Sequence, residues 1–147
     1  MITRRALLLS TPLLMLAPRA WAKDIPVTLH RDPGCGCCES YIAYLRRHDF
    51  DVTVKSASPD EIAAISRKAG IPPDLQGCHT AFIAGYAVDG LVPIAAVQKL
   101  VKDRPPLKGI ALPGMPGGAP GMPGIKKEQL TVFAIPREGR PFAFMTF

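Results

Sequence analysis

Cys35-Gly36-Cys37-Cys38 holds three of the chain's four cysteines within four residues. It combines a C-x-C, a C-C and a C-x-x-C spacing, the last being the thioredoxin-type redox spacing. The C-x-C is too short for an easy disulfide but can set two sulfurs on one metal ion. The cluster follows an apolar run, Ile25 to Leu29, and precedes a helical pattern. A thiolate at a helix N-terminus is stabilised by the unpaired N–H groups and the positive dipole end, which makes it a better nucleophile and soft-metal ligand. Spacing alone leaves three readings open: a soft-metal site for Cu(I) or Zn, a dithiol–disulfide pair of Cys35 and Cys38, and a structural zinc or disulfide. The fourth cysteine, Cys78, has His79 beside it. Met115 and Met122 sit in two copies of Gly-Met-Pro-Gly. Thioether sulfur prefers Cu(I); the alternative is two methionines packing a Pro/Gly loop over the domain.

The elements that must position these residues can be read in order. Val27–Arg31 suits a strand and Asp32-Pro33-Gly34 a turn. Cys38–His48 carries Tyr41, Ile42 and Leu45 at helical spacing. Val52–Val54 suits a second strand. Ser58-Pro59-Asp60-Glu61 opens a second helix with a capping box, Ile62 and Ile65 facing inward, and Gly70 ends it. Thr80–Ala84 and Tyr86–Val88 read as a hairpin, Asp89-Gly90 as a turn, and Val92 to Lys102 as a last helix with Ile94, Val97 and Val101 inward. The order β-α-β-α-β-β-α, with cysteines at the first strand-to-helix turn, is thioredoxin-like. In that order Cys78, just before the third strand, should face the cluster as a fourth sulfur. No proline immediately precedes that strand, which argues against a substrate-disulfide groove. A Pro/Gly-rich stretch, Pro113 to Gly124, and two strand-like runs, Leu130–Ile135 and Pro141–Phe147, complete an α/β domain with a C-terminal β-hairpin.

Residues 1–22 read as a cleavable leader: Arg4 and Arg5, an apolar stretch from Ala6 to Ala17, and Ala20-Trp21-Ala22 as cleavage site. The pattern favours Sec export to the periplasm over the twin-arginine route. The expected mature domain is 23–147, and no later stretch is apolar enough to span a membrane. Net charge is +6 over the whole chain; without Arg4, Arg5 and Arg19 it is 15 basic against 12 acidic residues, or +3. No Lys/Arg run exceeds two, so nucleic-acid binding has no support. No Ser/His/Asp set, phosphate loop or carboxylate pair points to hydrolysis or group transfer. In an exported chain, clustered cysteines suggest a metal or redox site rather than a disulfide framework.

Asp32-Pro33-x-Cys35-Gly36-Cys37-Cys38, Cys78-His79-Thr80-Ala81, Gly85-Tyr86, Gly90-x-Val92-Pro93, Pro113-Gly114-Met115-Pro116 and Pro120-Gly121-Met122 together resemble the CopG-type periplasmic copper-resistance proteins, in order along nearly the whole mature chain. The resemblance implies a thioredoxin-like fold, a Cys-x-Cys-Cys site, copper binding and copper redox activity. Cys35, Cys37, Cys38 and Cys78 are then the main ligands, with His79, Met115 and Met122 as further candidates. Several thiolates can bridge more than one Cu(I), and interconversion of Cu(I) and Cu(II) would make the protein an oxidoreductase in a broad sense. The implied partners are copper ions and other periplasmic copper-handling proteins. The chain departs from the pattern at Leu91, where the family carries a histidine and where leucine cannot ligate a metal. The rival is a periplasmic thiol–disulfide oxidoreductase using Cys35 and Cys38.

Overall fold

Ile25–Arg31 forms β1, two residues longer at its start than the expected strand Val27–Arg31, because it pairs in parallel along the whole of β2, Phe50–Ser56. Between them lies α1, Gly36–Arg46. It starts earlier than the hydrophobic stripe implies. Cys35 is itself the N-cap, and its sulfur stands 3.3 Å from the Cys38 amide, so Cys37 and Cys38 occupy the first helical turn. The buried residues Cys38, Tyr41, Ile42 and Leu45 form one face at i, i+3, i+4 and i+7.

The computed structural model describes residues 24–126 and 128–147; the expected leader at 1–22 lies outside them. Helix α2, Pro59–Lys68, opens with the capping box: Glu61 N–H donates to Ser58 Oγ (3.3 Å), and Glu61 Oε2 accepts from Ser58 N–H (2.7 Å). Ser58 N–H and Ser58 Oγ–H (2.9 Å), both donating to Oε2, hold the Glu61 carboxyl below its usual range. The inner face differs from expectation. Ile65 is half-exposed, and Ser66 is the buried residue after Ile62, because Ser66 reaches polar partners beneath the helix rather than an apolar floor.

After a 3-10 turn at Pro73–Leu75, β3 (His79–Ile83) runs antiparallel to β1 and pairs with β4 (Tyr86–Asp89). The hairpin turn is Ala84-Gly85, both at positive φ (50° and 87°). The hairpin thus turns where expected, but Asp89, expected in a turn with Gly90, instead ends β4, fully buried, opposite Thr80. Helix α3, Ile94–Asp103, buries Ala96, Val97 and Leu100, with Ile94 and Val101 at the margin of the core. The order β2-β1-β3-β4, with α1, α2 and α3 in their crossover places, is the thioredoxin-like arrangement.

Three strands extend this sheet. β5 (Leu107–Ala111), which the sequence pattern does not announce, joins β4 in parallel. β6 (Thr131–Pro136) and β7 (Phe142–Thr146) follow as the expected C-terminal hairpin. The sheet reads β2-β1-β3-β4-β5-β6-β7. Strand alternation separates two cores. Val88, Ile110 and Ala134 pack with α1 and α3, whereas Ala87, Ala111 and Ile135 pack with Ile71 and Leu75 on the opposite face. No helix among the described residues is long and apolar enough to cross a membrane.

Candidate metal centre

The turn entering α1 is fixed by local hydrogen bonds. Gly34 N–H donates to Asp32 Oδ1 (2.6 Å) and Cys35 N–H to the Asp32 carbonyl (3.0 Å). Arg31 donates to the Asp32 and Pro33 carbonyls (3.3 and 3.1 Å) and pairs with Glu39 at 2.6 Å. This places Cys35, Cys37 and Cys38 at the helix N-terminus. The segment 76–78 brings Cys78 opposite them.

The sulfurs of Cys35, Cys37, Cys38 and Cys78 all lie within 4.8 Å of one another. Cys37 is at their centre, 3.4 Å from Cys35 Sγ and 3.4 Å from Cys78 Sγ. Cys35 and Cys38 are joined as a disulfide, while Cys37 and Cys78 are free thiols. Two sulfurs of the set therefore become thiolates only on reduction of that bond. Burial, reinforced by the neighbouring Cys37 thiol, pushes the Cys78 pKa up to about 12, so a metal held there must displace a proton. The donor set is soft and has no carboxylate, which suits Cu(I) better than hard cations.

Met115 stands beside the cluster: its Sδ lies 3.7 Å from Cys37 Sγ, and its side chain is 54% exposed. Its strap is tied to the Cys78 loop by Gly114 N–H donating to the Gln76 carbonyl (3.2 Å). Met122 sits half-buried against the core. The preceding Gly121, at φ 91°, presses so closely on α1 that a Cβ there would stand 2.8 Å from the Cys37 carbonyl.

His79 is buried and faces α1, with Nδ1 3.4 Å from Cys78 Sγ and its ring 4.8 Å from that of Tyr41. Its Nε2 is buried without a hydrogen-bond partner, and desolvation lowers its pKa to about 4. The ring is thus neutral at physiological pH, the form in which imidazole ligates metals. Leu91 is fully buried in the apolar core. His30 turns to Phe82 and His48 to Tyr44, away from the sulfurs.

A cleft of about 490 Å³ opens beside the cluster, lined by Cys35, Cys37, Cys78 and Met115 together with Ile62, Ala63 and Ser66 of α2. Behind its wall, Asp89, Ser66 and Thr80 form a buried polar group that sequence reasoning missed. The available signal was Ser66 four residues after Ile62, on the same helical face.

A family model described as "Protein of unknown function, DUF411" matches residues 75–122. No curated protein matches the chain. Two solved structures, described as copper resistance protein CopG in forms 2 and 1, superpose with a TM-score of 0.76 each. They are 35% and 34% identical to this chain, and each alignment covers 84% of this chain and 98% of the other.

Proposed function

The chain belongs to the CopG-type copper-resistance family, and from that premise we propose that it captures Cu(I) as cargo on the cysteine cluster and interconverts Cu(I) and Cu(II), two Cu(II) taking up the two electrons released when the Cys35 and Cys38 thiolates close to their disulfide, and two Cu(I) returning them when it opens. The observation that carries this reading is the convergence of four cysteine sulfurs within 4.8 Å, with the Met115 thioether beside Cys37. Cys35, Cys37, Cys38 and Cys78 are the thiolate donors once the Cys35–Cys38 bond is reduced. Met115 and Met122 serve as thioether donors along the strap, and His79 offers neutral imidazole behind Cys78. With so many sulfurs, more than one Cu(I) can be shared among bridging thiolates. Residues 1–22 act as the export leader, and the mature domain, 23–147, works in the periplasm with other copper-handling proteins. Sec is the favoured route.

A second reading is supported by the Cys35–Cys38 disulfide and the N-cap position of Cys35: a thiol–disulfide oxidoreductase that works without metal. Cys78→Ser separates the two. Anaerobic titration of the reduced protein with Cu(I) should show more than one ion per chain, tighter retention than Zn, and at least a tenfold loss of affinity or a lower stoichiometry in the variant. Insulin reduction by Cys35 and Cys38 should change little. Unaltered Cu(I) binding alongside strong insulin reduction in both proteins would replace the copper reading with the oxidoreductase one.

A further inference from the structure

The sulfur cluster exists only because two separate loops meet. One is the N-terminal turn of α1. The other is the irregular segment Gln76-Gly77-Cys78, which no helix or strand holds. Gly114 N–H ties its start through the Gln76 carbonyl, and the buried side chain of Asp89 anchors its middle. Asp89 is fully buried, and its Oδ1 accepts the Gly77 N–H at 2.6 Å. Its Oδ2 accepts from Ser66 Oγ (2.6 Å) and Thr80 Oγ1 (3.0 Å), and the two hydroxyls stand 2.6 Å apart. The carboxylate is thus met from three directions: by α2, by β3 and by the loop that carries Cys78.

The backbone around Asp89 extends the same clamp. Its carbonyl accepts from Leu112 N–H (3.0 Å), and Gly90 N–H donates to the His79 carbonyl (3.0 Å). Gly77 lies so tightly on Gly90 that a Cβ on Gly77 would collide with the Gly90 Cα, and a Cβ on Gly90 would collide with the Leu112 carbonyl. The strap that continues from Leu112 carries Met115. Asp89 therefore sits where the Cys78 loop, the sheet and the Met115 strap are joined.

We propose that Asp89 is a positioning residue of the sulfur site, whose carboxylate locks Gly77 and so holds the Cys78 thiol opposite Cys37. Burying a carboxylate is costly unless its oxygens are well satisfied. An apolar side chain would fill the space at less cost, but it would leave the Gly77 N–H without an acceptor and the middle of the loop without that tie. Ser66 and Thr80 orient the carboxylate; Gly77 is the group it holds. The geometric claim stands on the metal-free protein, whereas its consequence for copper rests on the proposed Cu(I) reading.

The test uses Asp89→Ala and Asp89→Asn in the metal-free chain. Asparagine retains an acceptor for Gly77 and offers a donor to Ser66, so it should rescue. In a Cys35→Ser/Cys38→Ser background, diamide takes up two electrons and two protons as the Cys37 and Cys78 thiols become a disulfide. The rate of that closure reads how well the two are aligned. Asp89→Ala should slow closure at least tenfold and speed hydrogen exchange of the Gly77 amide at least 100-fold, with Asp89→Asn within threefold of the parent on both. With Cys35 and Cys38 restored, Cu(I) affinity should fall at least tenfold in Asp89→Ala only. Closure at the parental rate in Asp89→Ala, or equal impairment in Asp89→Asn, would overturn the proposal. Should Asp89→Ala not fold, the Gly77 amide of the unmutated protein decides, strong protection supporting the clamp and free exchange overturning it. If closure and exchange respond as expected but no variant binds Cu(I), the copper reading fails while the clamp stands.

Discussion

Cys37 Sγ has the Cys35 and Cys78 sulfurs each at 3.4 Å and the Met115 thioether at 3.7 Å, so the two methionines of the repeated Gly-Met-Pro-Gly are not equivalent. Met115 is exposed and touches the cluster, whereas Met122 is half-buried against the core. Met115→Ala should weaken Cu(I) capture several-fold in competition against a chelator and leave the apo unfolding midpoint within about a degree, since exposed substitutions are close to neutral. Met122→Ala should cost about 1 kcal/mol in denaturant unfolding, below the ~2 kcal/mol at the low end for a fully buried methionine, because Met122 is only partly buried. A Met115 variant with parental copper affinity would assign that residue to loop packing.

At the scale of elements, the junction of the Cys78 loop with β4 and the end of β5 has no room. Gly77→Ala places a Cβ against the backbone of Gly90, 3.0 Å from its nitrogen, and 3.3 Å from the Leu112 carbonyl. Backbone cannot turn aside as a side-chain end can. The substitution should destabilise by about 1–3 kcal/mol, the usual range for overpacking, and should also shift Cys78 and weaken Cu(I) binding. Gly36→Ala, where a Cβ meets nothing within 4 Å, is the matched control, with no such loss. Urea unfolding and Cu(I) titration of both variants check this. Equal behaviour of the two would mean that the junction yields.

At the scale of the whole molecule, the added strands are part of the core rather than an appendage. Ile110, Val132 and Ala134 are fully buried with the α1–α3 core, and β5 covers the edge of β4. A chain ending after Arg104 should not give a soluble, cooperatively unfolding domain, because it exposes that apolar face and an unpaired strand edge; sedimentation and circular dichroism test this. Burial raises the Asp89 pKa above its usual value of 3.8, against the opposing pull of its hydrogen bonds. The folded state then holds that proton more tightly than the unfolded chain. Its stabilising contribution is complete below pH 3.8 and is lost as pH rises through the raised folded value. The stability of Asp89→Asn relative to the unmutated protein should therefore increase with pH across that window and level off above it. Urea unfolding of both proteins in one thiol state, from pH 3 to 8, reads this as about 1.4 kcal/mol per unit of pKa shift. A difference that does not vary with pH would refute it.

The sequence by itself determined the β-α-β-α-β-β-α order, the capping box at Ser58 and Glu61, the cysteine cluster at the first strand-to-helix turn, and the C-terminal hairpin. These follow from local periodicity, capping chemistry and residue type, which act within a few positions along the chain. The place of Cys78 opposite the cluster was also legible, because the thioredoxin-like order brings the start of the third strand to the first helix. Tertiary structure alone decided the rest. Cys35 became the cap because its sulfur meets the Cys38 amide, which starts α1 ahead of its apolar stripe. β5 gained its place by pairing with a β4 edge that no local pattern reveals. Met115 was separated from Met122 by the path of a Pro/Gly strap, whose glycines fit against particular backbone atoms. Asp89, which reads locally as a turn residue beside Gly90, is buried because Gly77, Ser66 and Thr80 converge on it from distant parts of the chain. Such convergence depends on contacts between remote segments, and a local pattern carries no record of them.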